Sequence, residues 1–292
     1  LGNYGYAFSN VNPIPDVDKE NLIVGFNYFI EPGKKVYVRR ISFVGNEKTK
    51  DKVLRREMRQ FEASYYDKEK IDQSTRRLKR TQYFEGVDIK TVSVPGISDQ
   101  VDLTVAVKEK NTGSVKLGAG ASSDEGLVGS FSVTQANFLG TGNTLSATIN
   151  TSSVNTIYSI SHIDPYYTLD GISRRITAYT KETNTKDLDT GQYDKKSLGL
   201  GVGFGIPMNE YDTVNIGFDV DMSEIKLVSS SPTRYKDYCK DVSGGDDSGC
   251  DQNEAVLTIG YTSDKRDSAI YPTLGYKYDV SSEITLPLLD MQ

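Results

Sequence analysis

The sequence has no long hydrophobic run. Among its 292 residues no apolar segment approaches the roughly 20 residues that a membrane-spanning helix needs, and the mean hydropathy is -0.46. A helical membrane protein is therefore excluded. A membrane-spanning β-barrel is not excluded, because its strands are apolar on one face only and its loops are polar.

Residues typical of catalysis or metal binding are also scarce. The single histidine, His162, lies in the alternating stretch 157–163 and is predicted to be a wall side chain rather than a base or a ligand. The Gly-x-Gly-x-Gly run over 199–205 lacks the following helix of a phosphate loop. We therefore expect no enzyme activity, no cofactor and no metal site.

The only two cysteines, Cys239 and Cys250, lie close together in a polar stretch. Such a pair in an exposed loop favours a loop-closing disulfide and an oxidising compartment, with two free thiols as the alternative. A zinc site is poorly supported because His162 is distant in sequence. The neighbouring aspartates lack the spacing of a calcium loop.

Charge divides the chain into two parts. Residues 34–90 contain 17 Lys or Arg against 9 Asp or Glu, whereas residues 113–292 contain 14 against 24. The basic part alternates its charges with acids and lacks interleaved aromatics and any nucleic-acid-reading motif. We expect two modules in different surroundings and no nucleic-acid partner.

Strict alternation dominates the second part of the chain. In 198–206 bulky apolar residues alternate with glycine, and in 213–222 they alternate with polar residues, as expected of strands with one lipid-facing side. About nine strands are predicted, over 113–122, 127–138, 143–152, 155–163, 173–184, 196–207, 211–226, 253–263 and 273–286. Short turns at one end and long polar connections over 185–195 and 227–252 at the other favour an antiparallel barrel over a soluble β-sandwich.

Residues 34–110 show a β-α-α-β-β pattern with one small sheet. A strand over 36–44 precedes a helix capped by Thr49, a second helix begins at Asp67, and two strands follow. Residues 1–33 are predicted to be a hairpin turning over 12–16, the end of a preceding copy of the same module. The opening residues suggest a mature fragment without its original start.

Six motifs in one order resemble a known family. They are VRRISFVGN at 38–46, VLRREMRQ at 53–60, KEKNTGS at 108–114, NFLGTG at 137–142, DPYYTLDG at 164–171 and DSAIYPTLG at 267–275. Over essentially its whole length the chain resembles the BamA family of outer-membrane assembly factors. That family joins periplasmic POTRA domains to a sixteen-stranded barrel.

The resemblance implies an α+β POTRA module followed by an incomplete all-β transmembrane barrel. Residues 1–33 would be the C-terminal hairpin of one POTRA domain, 34–110 the complete last POTRA domain, and 113–292 the first nine or so barrel strands. The family's inward-folded loop and closing strands are expected to be missing. It also implies a location in the Gram-negative outer membrane, with the POTRA part in the periplasm.

The implied function is assembly and insertion of outer-membrane β-barrels. Partners would be unfolded outer-membrane proteins bound at POTRA sheet edges, periplasmic assembly lipoproteins and the lipid bilayer. The implied lateral seam is the first barrel strand, with Gly113, Val115, Leu117, Gly118, Ala119, Gly120 and Ala121. The implied docking helix carries Arg55, Arg56, Glu57 and Arg59.

Two other functions remain open on the sequence. A POTRA-barrel secretion pore of the two-partner type is the main alternative, because related transporters join the same two modules. A soluble adhesion module is the weaker one.

Overall fold

The computed structural model describes residues 1–185, 192–242, 245–267 and 271–287. Parts of the loops predicted over 185–195 and 227–252, and part of the motif at 267–275, lie outside these residues. The chain forms two compact units, Leu1–Thr112 with Leu139–Thr141, and Gly113–Phe138 with Gly142–Gln292.

The first unit opens with a hairpin whose turn differs from the predicted one. Its strands are β1 (Asn10–Asp18) and β2 (Ile23–Glu31). The turn predicted over 12–16 is wrong, because Pro13 and Pro15 lie within β1, opposite Tyr28 and Phe26. Proline has no N–H to donate, so two prolines at alternate positions direct their nitrogens to the free edge of the hairpin. The ladder to β2 therefore stays intact.

The β-α-α-β-β pattern of the next module is confirmed. Its elements are β3 (Tyr37–Val44), α1 (Asp51–Arg55), α2 (Lys68–Arg80), β4 (Phe84–Ser93) and β5 (Gln100–Glu109). The central strand β5 runs parallel to β3 and antiparallel to β4. Its alternate residues Val101, Leu103 and Val105 are fully buried against the helices, which carry Leu54 and Leu78 into the same core.

One of the two predicted helix starts is confirmed. Asp67 caps α2, where its carboxylate accepts the N–H groups of Glu69 at 3.0 Å and Lys70 at 3.3 Å. The other is wrong, because α1 begins after Lys50 without a side-chain cap. Thr49 is buried, and its hydroxyl and N–H both bond the carboxylate of Glu109.

In the described part of the second unit, nine strands form one antiparallel sheet and follow each other in chain order. They are β6 (Gly113–Ser122), β7 (Gly126–Phe138), β8 (Asn143–Thr151), β9 (Asn155–Asp164), β10 (Ser173–Asn184), β11 (Tyr193–Pro207), β12 (Asp212–Leu227), β13 (Gly249–Asp264) and β14 (Lys277–Pro287). The predicted strands are thus confirmed with small shifts at their ends. The sheet is open, with β6 and β14 as its two edges, as expected of an incomplete barrel.

The two faces of this sheet differ as the alternation predicts. On one face Leu198 and Leu200 are each 60% exposed, as lipid-facing side chains would be. On the other face the glycines leave room for polar neighbours. The Tyr179 ring lies over Gly199, and its hydroxyl donates to the Asp221 carboxylate at 2.7 Å. We call these two sides the apolar face and the polar face.

A helix that the sequence analysis missed lies between β12 and β13. This helix, α3 (Thr233–Val242), is tied to the start of β13 by a disulfide between Cys239 and Cys250, whose Cα atoms are 5.2 Å apart. The pairing favoured from sequence is therefore present. Among the described residues, no helix has both the length and the apolar character needed to cross a membrane.

Candidate functional site

The strand expected to form the seam lies at one edge of the nine-stranded sheet. Within the described residues β6 pairs only with β7, from Gly113 opposite Gln135 to Ser122 opposite Gly126. All ten residues of β6 are exposed. Since about half of the backbone groups of an edge strand point away from its partner, this edge can accept another strand.

The side chains of β6 alternate between the two faces. Val115 is 64% and Leu117 is 80% exposed on the apolar face. Gly118 and Gly120 lie on the polar face, and they are not equivalent. A Cβ at Gly118 would meet the Ser130 hydroxyl of β7, whereas a Cβ at Gly120 would meet no atom within 4 Å.

The four residues expected on a docking helix do not share a helix. Because α1 ends at Arg55, the residues Arg56, Glu57 and Arg59 follow it in the connection to α2. Glu57 is only 7% exposed and pairs with Arg77 of α2 at 2.9 Å, so its carboxylate holds the two helical segments together. Partner docking through Glu57 therefore requires breaking an internal ion pair.

One edge of the POTRA-like sheet is covered by its own chain. The segment 63–66 bonds the β3 backbone, with Ala63 N–H donating to Val38 at 2.7 Å and Val38 N–H donating to Ser64 at 2.9 Å. In the described residues no comparable segment covers β4, which forms the opposite edge. An added strand would therefore pair with β4.

Four carboxylates in the described part of this module have lowered pKa values, Glu62, Glu85, Asp102 and Glu109, and two of them contact β3. Glu62 accepts the Ile41 N–H at 2.8 Å, and this bond, helped by Arg55, lowers the pKa of the Glu62 carboxyl. A two-pronged contact with Arg39 lowers the pKa of the Asp102 carboxyl on β5. Both contacts connect the β3 region to other parts of the module.

His162 lies in β9, opposite Leu145 and Ile176, as predicted for a wall residue. Its Nε2 is 3.3 Å from the side-chain nitrogen of Asn143. In the described part of the chain, no group of three or more His, Cys, Asp or Glu could hold a metal ion.

Two family models match the chain. The one described as Omp85 superfamily domain matches residues 137–292. The one named POTRA, described as surface antigen variable number repeat, matches residues 36–110. Together they cover most of both units.

Curated relatives and solved structures agree with these matches. The chain is 37% identical to outer membrane protein assembly factor BamA of Neisseria meningitidis serogroup B, over 98% of this chain and 36% of that protein. Its identity to the BamA of Nitratidesulfovibrio vulgaris is 30%, over 96% of this chain and 34% of that protein. The chain thus spans about a third of the length of these relatives.

The structure of BamA from Haemophilus ducreyi lacking POTRA domains 1-3 superposes with a TM-score of 0.79. The sequence identity is 30%, over 98% of this chain and 55% of that one. CdiB from Acinetobacter baumannii superposes with a TM-score of 0.53 over 97% of this chain and 51% of the CdiB chain. At 13% sequence identity, this likeness shows a shared fold alone.

These likenesses place the barrel strands in the outer membrane and the POTRA part in the periplasm. Because the Omp85 model matches more than half of its residues, the chain belongs to the Omp85 superfamily, within which it is BamA-like.

Proposed function

We propose that this chain is part of an outer-membrane protein assembly factor and that β6 pairs with strands of its substrates. The observation that carries the proposal is the position of β6, at the edge of the sheet and directly after the POTRA domain. The name of these relatives, outer membrane protein assembly factor, supports the same role.

The driving force for pairing a substrate strand with β6 is backbone hydrogen bonding in a medium without water. An unpaired peptide group in hydrocarbon costs several kcal/mol. A ten-residue edge such as β6 therefore costs on the order of tens of kcal/mol if it faces lipid unpaired. A substrate strand that enters the membrane beside β6 satisfies its own groups and those of β6 together.

The POTRA domain would deliver substrate in an extended form. We propose that such segments add to β4, the edge that 63–66 leaves uncovered. Arg55, Arg56 and Arg59 are proposed to take part in docking a periplasmic lipoprotein. Glu57 would serve this surface indirectly, by fixing the connection between α1 and α2 through Arg77.

A secretion pore is the second candidate, and one observation disfavours it. The apolar cluster of Leu227, Ile225 and the disulfide, with α3 packed on it, lies on the polar face of the sheet. That face lines the lumen of a closed barrel. A helix packed on the face that lines the lumen narrows a passage, which suits assembly better than export.

The test is site-specific photocrosslinking in cells. Benzoylphenylalanine replaces Leu117 of β6 in the intact protein. We expect crosslinks to newly synthesised barrel proteins, because a substrate strand paired with β6 places its side chains next to this position. Leu200 on β11 is the matched control, since it is also on the apolar face and 60% exposed but lies inside the sheet.

Equal crosslinking at Leu117 and Leu200 would contradict substrate pairing at β6.

A second measurement separates the two candidate functions. A disulfide that locks β6 to the strand closing the barrel should stop insertion of new barrel proteins. Unimpaired insertion, together with a large stable conductance in planar bilayers, would favour the secretion pore.

A further inference from the structure

A cavity of about 510 Å³ lies between α3 and the polar face of β11, β12 and β13. Its lining residues are Tyr193, Lys195, Ile225, Arg234, Tyr235, Tyr238, Cys239 and Gln252. Small-molecule sites typically measure about 300–1,000 Å³ and combine apolar walls with a few polar groups. The size and the lining of this cavity both fall within that description.

Three tyrosines contribute to the walls of the cavity. The rings of Tyr193 and Tyr235 meet edge to face with centroids 5.4 Å apart, and Tyr238 and Ile225 pack against the same cluster. Flat apolar groups stack favourably on such rings.

Among the described residues that line the cavity, the only charged ones are two cations. Lys195 donates to the Gln252 side chain at 3.4 Å, and Arg234 donates to the Tyr235 hydroxyl at 3.1 Å. Both partners are neutral, and the lining residues that the structure describes include no carboxylate. An anion placed between these cations would form charge-assisted hydrogen bonds without displacing an internal ion pair.

The cavity lies beyond the apolar band of the wall. Next to Lys195, on the opposite face, Lys196 pairs with Glu182 at 3.0 Å, so the outer surface at this level is charged rather than lipid-facing. The roof of the cavity is fixed, because the disulfide joins buried Cys239 of α3 to Cys250 of β13. The cavity is therefore a preformed site on the loop side of the sheet.

We propose that this cavity binds an amphiphilic organic anion. The acidic group would lie between Lys195 and Arg234, and the apolar or aromatic body would lie against the three tyrosine rings. Small aromatic acids and single-chain anionic lipids share this chemistry. The site is separate from β6, and the proposal does not depend on the assembly function.

The test measures binding of 2-naphthoate to the intact protein in zwitterionic nanodiscs by saturation-transfer NMR, with empty nanodiscs subtracted. We expect saturable binding that is at least tenfold tighter than that of 2-naphthylmethanol, which has the same rings but no charge. Lys195→Gln and Arg234→Gln should each weaken binding about tenfold, because each removes one charged hydrogen-bond donor.

The matched controls carry the same change outside the cavity. The first control is Lys196→Gln, since Lys196 is the neighbour of Lys195 and lies on the opposite face of the sheet. The second is Lys236→Gln, since Lys236 lies on α3 and its amine donates to the Ser229 carbonyl at 3.0 Å. Neither should change binding by more than twofold. Unchanged mobility of the folded barrel on unheated gels shows that each variant has folded.

Lysophosphatidylglycerol and lysophosphatidylcholine distinguish the two sources of the anion. Displacement of naphthoate by the anionic lipid alone identifies lipid as the better ligand, and no displacement by either identifies small aromatic acids. Equal binding of naphthoate and naphthylmethanol, or wild-type affinity in both Lys195→Gln and Arg234→Gln, would overturn the proposal.

Discussion

Replacing Gly199 by alanine should destabilise the barrel wall far more than a single methyl group suggests. A Cβ at Gly199 would overlap the ring of Tyr179, which crosses this glycine to reach Asp221. The ring has to move, and its hydroxyl then loses the bond to the Asp221 carboxylate. Gly203 on the same strand is the matched control, because the nearest atom to its added Cβ is 3.9 Å away.

The magnitude follows from two contributions. Overpacking a filled site costs about 1–3 kcal/mol, and a lost hydrogen bond to a charged group costs about 1.5–3 kcal/mol. We therefore expect Gly199→Ala to lower the free energy of unfolding by about 2.5–6 kcal/mol. Gly203→Ala should change it by less than about 0.5 kcal/mol.

The assay is guanidinium unfolding of the intact protein in detergent, monitored by far-ultraviolet circular dichroism. The dependence of the free energy of unfolding on guanidinium concentration is compared between variants. A double-mutant cycle identifies the cause. In a Tyr179→Ser background the ring is absent, so Gly199→Ala should cost almost nothing. Additive costs in this cycle, or equal costs for Gly199→Ala and Gly203→Ala, would refute the reasoning.

Three further predictions concern the POTRA domain and the loop. Glu57→Ala leaves Arg77 without its buried partner and should destabilise the isolated POTRA domain by about 3 kcal/mol in thermal melts, whereas exposed Glu69→Ala should have little effect. Because the folded-state pKa values of Glu62 and Asp102 are lowered, their contribution to stability is present above their ordinary pKa values. This stabilisation is lost as the pH falls through the lowered pKa values of the folded state. Urea midpoints of the POTRA domain should therefore be level from pH 7 to about pH 5 and fall below about pH 4, and they should fall less in a Glu62→Gln, Asp102→Asn variant. Removing the disulfide with Cys239→Ser and Cys250→Ser should destabilise the α3 region by about 3 kcal/mol and speed trypsin cleavage at Arg234. Unchanged cleavage would show that α3 is held by the tyrosine cluster alone.

The barrel strands were predictable because their signal is local. Alternation over 198–206 fixes which residues share a face, whatever lies elsewhere in the chain. The start of α1 was predicted wrongly, because Thr49 does not cap the helix but bonds Glu109, a residue 60 positions away. Helix α3 was missed because it lies in a polar loop without strand alternation, and its packing on Tyr193 and Ile225 is a long-range contact.

The candidate site was likewise predictable from the sequence only where its signal is local. The bounds of β6 follow from its own residues, and the structure matches them. That β6 stands at an edge is a property of the whole sheet, which no stretch of ten residues encodes. The docking residues were placed on one helix by the family resemblance, but the helix ends at Arg55.

The two prolines of β1 affect which strand edges of the periplasmic part can accept an added strand. Without N–H donors at Pro13 and Pro15, the outer side of β1 cannot continue a ladder across its middle. The covering segment 63–66 closes β3 in a different way. Within the described part of this unit, the outer sides of β2 and β4 remain as free edges, so under the proposed function an extended polypeptide would add to one of these strands rather than to β1 or β3.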